Sequence, residues 1–155
     1  MNASNLREQK IDTLNELIAV TRDSADFYDD AAEQAHNPQL KALFQRMAEA
    51  KSGLVDAIAR EVEVEGVEAA DEGTFRGSLH RMYGNVRGKL GSDDYGYVAE
   101  LEEAEDRMLH AFRDVLEDKD APLSVKEVVR NHLPTVKQQH DLMRDRKWAM
   151  DSTRH

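Results

Sequence analysis

The sequence predicts an all-α chain folded as a four-helix bundle, with two antiparallel hairpins joined by a long crossover that contains a short helix. Three observations carry this. Four long segments repeat apolar residues at intervals of three and four. The breaks at Asn37-Pro38 and Asp120-Ala121-Pro122 are short, so each joins antiparallel neighbours. The connection between Gly66 and Asp93 is far longer than an ordinary loop.

The first helix is expected to be capped by Thr13, with Glu16 completing a capping box, and to bury Leu14, Leu17, Ile18, Thr21, Ala25, Tyr28, Ala32 and Ala35. Asn37 and Pro38 suit the N-cap and first position of the second helix. Its stripe runs from Leu40 through Leu43, Phe44, Met47, Lys51, Leu54 and Ile58 to Val62, with one lysine among the apolar residues. The crossover, about residues 66–93, carries its own helical spacing in Phe75, Leu79, Met82, Tyr83, Val86 and Leu90. Gly77, Gly84 and Gly88 weaken that helix by about 1 kcal/mol each relative to alanine.

Asp93 and its neighbours cap the third helix, whose stripe includes Val98, Leu101, Glu105, Met108, Leu109 and Phe112. Here the exception is a glutamate. Ser124 with Glu127 reads as the capping box of the fourth helix, whose stripe is Val125, Val128, Val129, His132, Leu133, Val136, His140 and Met143. Pro134 should kink it. One domain over 13–150, with tails at 1–12 and 151–155, accounts for the chain. Two hairpins around one long crossover is the connection pattern of ferritin-like bundles, and a plain bundle whose middle segment is a surface appendage is the alternative.

Composition narrows the function. The chain has 155 residues, 40% of them hydrophobic and 34% charged, which suits amphipathic helices with one solvated face each. It has no cysteine, so disulfides, thiolate metal sites and cysteine nucleophiles are excluded. No signal-like or membrane-spanning apolar run appears, and a cytoplasmic location without membrane contact is expected. Twenty-one basic against 31 acidic residues give a net charge of −10, which disfavours nucleic acid as a partner.

A di-iron bundle takes carboxylates from two helices and a Glu-x-x-His pair from each of the other two. That set is incomplete here: the second helix offers Lys51 and Leu54, and the fourth offers Lys137 and His140. No cofactor is therefore expected, and no catalytic residue stands out. The stripes retain Lys51, Glu105 and His140 on three helices. One reading pairs Lys51 with Glu105 in the core, with His140 bonded nearby, as a device that sets helix register. Another puts these side chains at the stripe edge, snorkelling to water. A third has Glu102, Glu105 and His140 holding a single iron or manganese ion, since Glu102 is one turn from Glu105.

The crossover holds Arg76, Arg81, Arg87 and Lys89, with His80 and Tyr83 beside them, and no acidic residue from Thr74 to Leu90. This strip either docks an anion or a protein partner, or lies over the acidic flanks of its own bundle. An apolar face left uncovered, especially one with Trp148 or Tyr97, would favour a homodimer.

Several ordered segments resemble a known family. Leu17-Ile18, Arg22-Asp23, Tyr28, Ala31-Ala32-Glu33, Asn37-Pro38-Gln39-Leu40-Lys41 and Phe44 are followed by Gly73-Thr74-Phe75-Arg76-Gly77-Ser78-Leu79-His80-Arg81-Met82-Tyr83. Then come Glu102-x-x-Glu105-Asp106, His140-Asp141 and Arg144-Asp145. The series resembles a bacterial family of ferritin-like four-helix bundles labelled a domain of unknown function. The resemblance spans about Leu14 to Arg146 and implies a ferritin-like fold without an established activity. The expected function is a non-catalytic, stress-related bundle acting through assembly or partner binding; the alternative is a divergent ferritin-like iron or manganese protein.

Overall fold

The computed structural model describes residues 3–64 and 93–154. These form four α-helices: α1 (Ala3–Gln34), α2 (Pro38–Glu63), α3 (Asp94–Glu117) and α4 (Leu123–Arg154). Among the described residues there is no strand. The expected crossover helix and the candidates Arg76, His80, Arg81, Tyr83, Arg87 and Lys89 lie outside the described residues.

The short breaks have the expected chemistry. Asn37 caps α2, its side-chain oxygen accepting from the backbone N–H of Gln39 and Leu40, and Pro38 follows where no donor is needed. Asp93 caps α3 by accepting from Gly96 N–H. Two expected caps are not caps. Thr13 lies well inside α1, because the segment from Leu6 to Lys10 is rich in good helix formers and Ile11 packs on the core, so the helix extends back to Ala3. Ser124 lies inside α4, whose first turn instead closes on Pro122, the carbonyl of which accepts from Val125 and Lys126. Helix α4 continues through Pro134.

Helix α1 packs along α2, and α3 along α4, as two hairpins. The hairpins meet mainly through α1 and α3, while α2 and α3 approach each other least and so stand across a diagonal. A latch fixes their relative direction. The Asp94 carboxylate, at the first residue of α3, accepts from the backbone N–H of His36 at 2.7 Å and of Asn37 at 2.8 Å, in the turn between α1 and α2. Helix α3 therefore begins at the end of the bundle where α1 passes into α2. It runs antiparallel to α1 and parallel to α2, and Glu63 lies at the end opposite Asp94.

The core falls into two apolar clusters along the bundle axis. Toward the α1–α2 turn, Tyr28, Phe44, Met47, Val98, Leu101 and Met143 pack together. Toward the other end, Leu14, Ile18, Ile58, Phe112, Val129 and Val136 do so. Burying each such side chain stabilises the fold by roughly 1.5–3 kcal/mol. Between the clusters each helix turns a polar residue inward: Thr21 from α1, Lys51 from α2, Glu105 from α3 and Gln139 from α4, all buried.

Candidate functional site

Among the described residues, Thr21, Lys51, Glu105 and Gln139 form a buried polar layer between the two apolar clusters. Each member is placed by helical periodicity. Lys51 follows Met47 and precedes Leu54 on the α2 stripe, and Glu105 follows Leu101 and precedes Met108 on α3. Both charged side chains have zero exposure.

The hydrogen-bond accounting is close to complete. Lys51 Nζ donates to Glu105 Oε2 at 2.8 Å and to Gln139 Oε1 at 2.5 Å, and lies 3.6 Å from Met108 Sδ. Three partners match the three donors of an ammonium. The Tyr28 hydroxyl donates to Glu105 Oε1 at 2.6 Å, so each carboxylate oxygen has its own donor. Thr21 satisfies its hydroxyl on its own helix, donating to the Leu17 carbonyl at 2.7 Å. Burial pushes the Lys51 ammonium below its usual value, while the charge and hydrogen bond of Glu105 push it back up. A buried ion pair of this kind requires geometry that satisfies both partners, and here it does.

His140 has other partners. Its Nδ1 lies 3.0 Å from Asp141 Oδ1 and its Nε2 3.2 Å from Asp106 Oδ1, so it bridges α3 and α4 at the edge of the bundle with 12% side-chain exposure. The neighbouring Gln139 takes the inward position that the sequence reading gave to His140. Asp141 is further held by Lys137 at 2.8 Å and Arg144 at 3.3 Å, and the hydrogen bonds from Lys137 and His140 pull its carboxyl down to about 2. Glu102 lies 3.8 Å from Lys147.

The donor chemistry does not suit a di-iron centre. The cation of Lys51 already occupies Glu105, and an ammonium cannot ligate a metal. Among the described residues, no three His, Asp or Glu side chains gather as a metal-binding group, so Glu102, Glu105 and His140 are not brought together as one.

Sequence reasoning missed Gln139, Tyr28 and Asp106 as polar partners. Gln139 lies off the apolar stripe by one residue, and the tyrosine and aspartate read as ordinary core and surface. It also missed Glu100, a carboxyl buried to 2% exposure, whose Oε1 has no hydrogen-bond partner among the described residues. Burial, followed by repulsion from Glu103, raises Glu100 to about 7. Of the aromatic residues expected at an uncovered face, Tyr97 is buried and packs 6.3 Å from Phe27, ring centre to ring centre. Trp148 is 59% exposed, with the Arg144 guanidinium 4.9 Å from its ring centre.

Fold and site together define an all-helical bundle with a closed polar layer at its middle. The chain matches, over residues 9–118, the family described as "Domain of unknown function (DUF2383)", and it belongs to that family. The match takes in most of α1 and all of α2 and α3. No curated protein and no solved structure matches the chain. No described helix is long and apolar enough to cross a membrane.

Proposed function

We propose that this protein is a ferritin-like helical bundle that acts without catalysis, through assembly or partner binding, in a stress-related role. The observation that carries the non-catalytic reading is the Lys51–Glu105 pair. The centre of the bundle, where a ferritin-like protein would place metal ligands, is closed by a cation whose partners are all internal. The direction of the chain supports the ferritin-like reading. Glu63 and Asp94 stand at opposite ends of a bundle roughly 40 Å long, with α2 and α3 parallel, as in bundles whose hairpins are not joined by a short turn. Trp148 and the basic crossover residues Arg76, Arg81, Arg87 and Lys89 are the proposed contact points for a partner or a second copy.

Metal analysis and light scattering of protein purified from iron- and manganese-supplemented cultures test this reading. The expected result is no stoichiometric metal, together with a mass above that of a single chain or a co-purifying protein. Bound iron or manganese that disappears in Glu105→Ala or His140→Ala, on a monomeric protein, would establish the divergent metal-binding alternative instead.

A further inference from the structure

At the end of the bundle opposite the Asp94 latch, the start of α1 and the turn between α3 and α4 border an open cavity of about 610 Å³. Small-molecule sites span about 300–1,000 Å³, so the size suits a ligand. Two kinds of side chain line it. Leu6, Pro122 and Leu123 are apolar, and Leu6 and Leu123 leave 41% and 76% of their surface facing water. Arg7, Lys10 and Lys119 are cationic, against one carboxylate, that of Asp120, among the described lining residues. Leu123 and Ser124 are the first two residues of α4, where backbone N–H groups have no partner within the helix, and the first turn of α4 carries no acidic side chain. In a chain of net charge −10 this is a local concentration of positive charge beside apolar surface.

We propose that this cavity binds an amphiphilic anion, a monocarboxylate with a medium-length alkyl chain, its carboxylate among Lys10, Lys119 and the start of α4 and its chain along Leu6 and Leu123. Each half of the wall argues against a simpler ligand. A small polar anion would leave Leu6 and Leu123 in water, and an uncharged chain would cover cations without pairing them, which costs free energy. The negative charge of the rest of the chain does not prevent binding, because at physiological ionic strength exposed charges more than about 8 Å away are largely screened, whereas the cations of the wall act at contact. Each methylene fully removed from water strengthens binding by roughly fourfold, so chain length should tune affinity. The cavity lies at the end of the bundle, away from the Lys51–Glu105 layer, and its occupancy leaves that pair intact.

Titration of the full-length protein with sodium decanoate below its micelle concentration, followed by calorimetry and by backbone NMR shifts, tests this. Saturable one-to-one binding is expected, with the shifts centred on Leu6 to Lys10 and Lys119 to Ser124. No saturable binding, or shifts centred elsewhere, overturns the proposal. Acetate supplies the charge without the chain and decanol the chain without the charge, and each should bind at least about tenfold more weakly than decanoate. Either one binding as tightly as decanoate overturns the amphiphilic assignment. Lys119→Glu and Leu123→Ser change exposed side chains, so both variants should stay helical by circular dichroism while decanoate affinity falls about tenfold in the first and several-fold in the second. Full affinity in either variant overturns the proposed pose. Protein that sediments with phosphatidylglycerol vesicles yet takes up no free decanoate would assign the cations to a membrane surface, and that result also overturns the proposal.

Discussion

Lys51 and Glu105 meet across the diagonal of the bundle, 2.8 Å from nitrogen to oxygen, although they stand on the two helices whose backbones approach least. Long side chains span what the backbones do not. Because α2 and α3 belong to different hairpins, the pair couples the hairpins at one height along the axis. Sliding one helix by a turn would bring each charge against an apolar cluster, where an unpaired ion is costly. We propose that the polar layer specifies register, while the apolar clusters on either side supply most of the stabilisation.

The latch at the turn should be a local contributor to stability. Asp94→Ala removes two hydrogen bonds to backbone N–H groups of the α1–α2 turn, and Asn37→Ala removes the α2 cap. Each is expected to lower unfolding stability by about 1–2 kcal/mol in urea titration. The two losses should be less than additive, since both groups hold the same turn.

Gly53 is an opportunity for stabilisation. It lies inside α2, and a Cβ built there meets nothing within 4 Å. Gly53→Ala should raise stability by about 0.5–1 kcal/mol through the unfolded chain and the higher helix propensity of alanine. Thermal unfolding with an unchanged or lowered midpoint would argue against α2 continuing through this position.

Much of this architecture is legible in the sequence, and the misses have physical causes. The apolar stripes of α1 and α2 are buried as the periodicity requires, because a stripe of that width has nowhere else to go. Asn37-Pro38 was readable because cap chemistry is local. Thr13 and Ser124 misled for the converse reason: a capping-box pattern shows that a cap could form, whereas packing of Ile11 and closure on Pro122 set where the helices begin. Lys51 and Glu105 stood out as charges within a stripe. Gln139 did not, because which of two adjacent polar residues faces inward depends on the rotation of α4 about its own axis, and a stripe that also contains His140 leaves that angle loosely determined.

Glu100 gives the protein a pH dependence near neutrality. Its folded value of about 7 lies above the ordinary carboxyl value of 4.5, so the native state binds this proton more tightly than the unfolded state. Its contribution to stability is fully present below pH 4.5 and is lost as pH rises through about 7. Glu100→Gln should therefore be stabilising by ~1–2 kcal/mol above pH 7, a value trimmed from about 1.4 kcal/mol per pKa unit for screening by water, and neutral near pH 4. Urea unfolding of both proteins across that range checks the sign, which is opposite to that of a carboxylate held by salt bridges.

The most direct test of the polar layer is a double-mutant cycle on Lys51→Met and Glu105→Leu, followed by equilibrium unfolding at neutral pH. Each single change leaves one buried charge without its partner and is expected to cost about 3–5 kcal/mol, with Tyr28 and Gln139 left pointing at the wrong group. The double variant replaces both charges by apolar groups of similar size and should be more stable than either single variant, giving a coupling of several kcal/mol between residues on helices that barely touch. Additive losses, with the double variant the least stable of the three, would contradict a core organised around the Lys51–Glu105 pair.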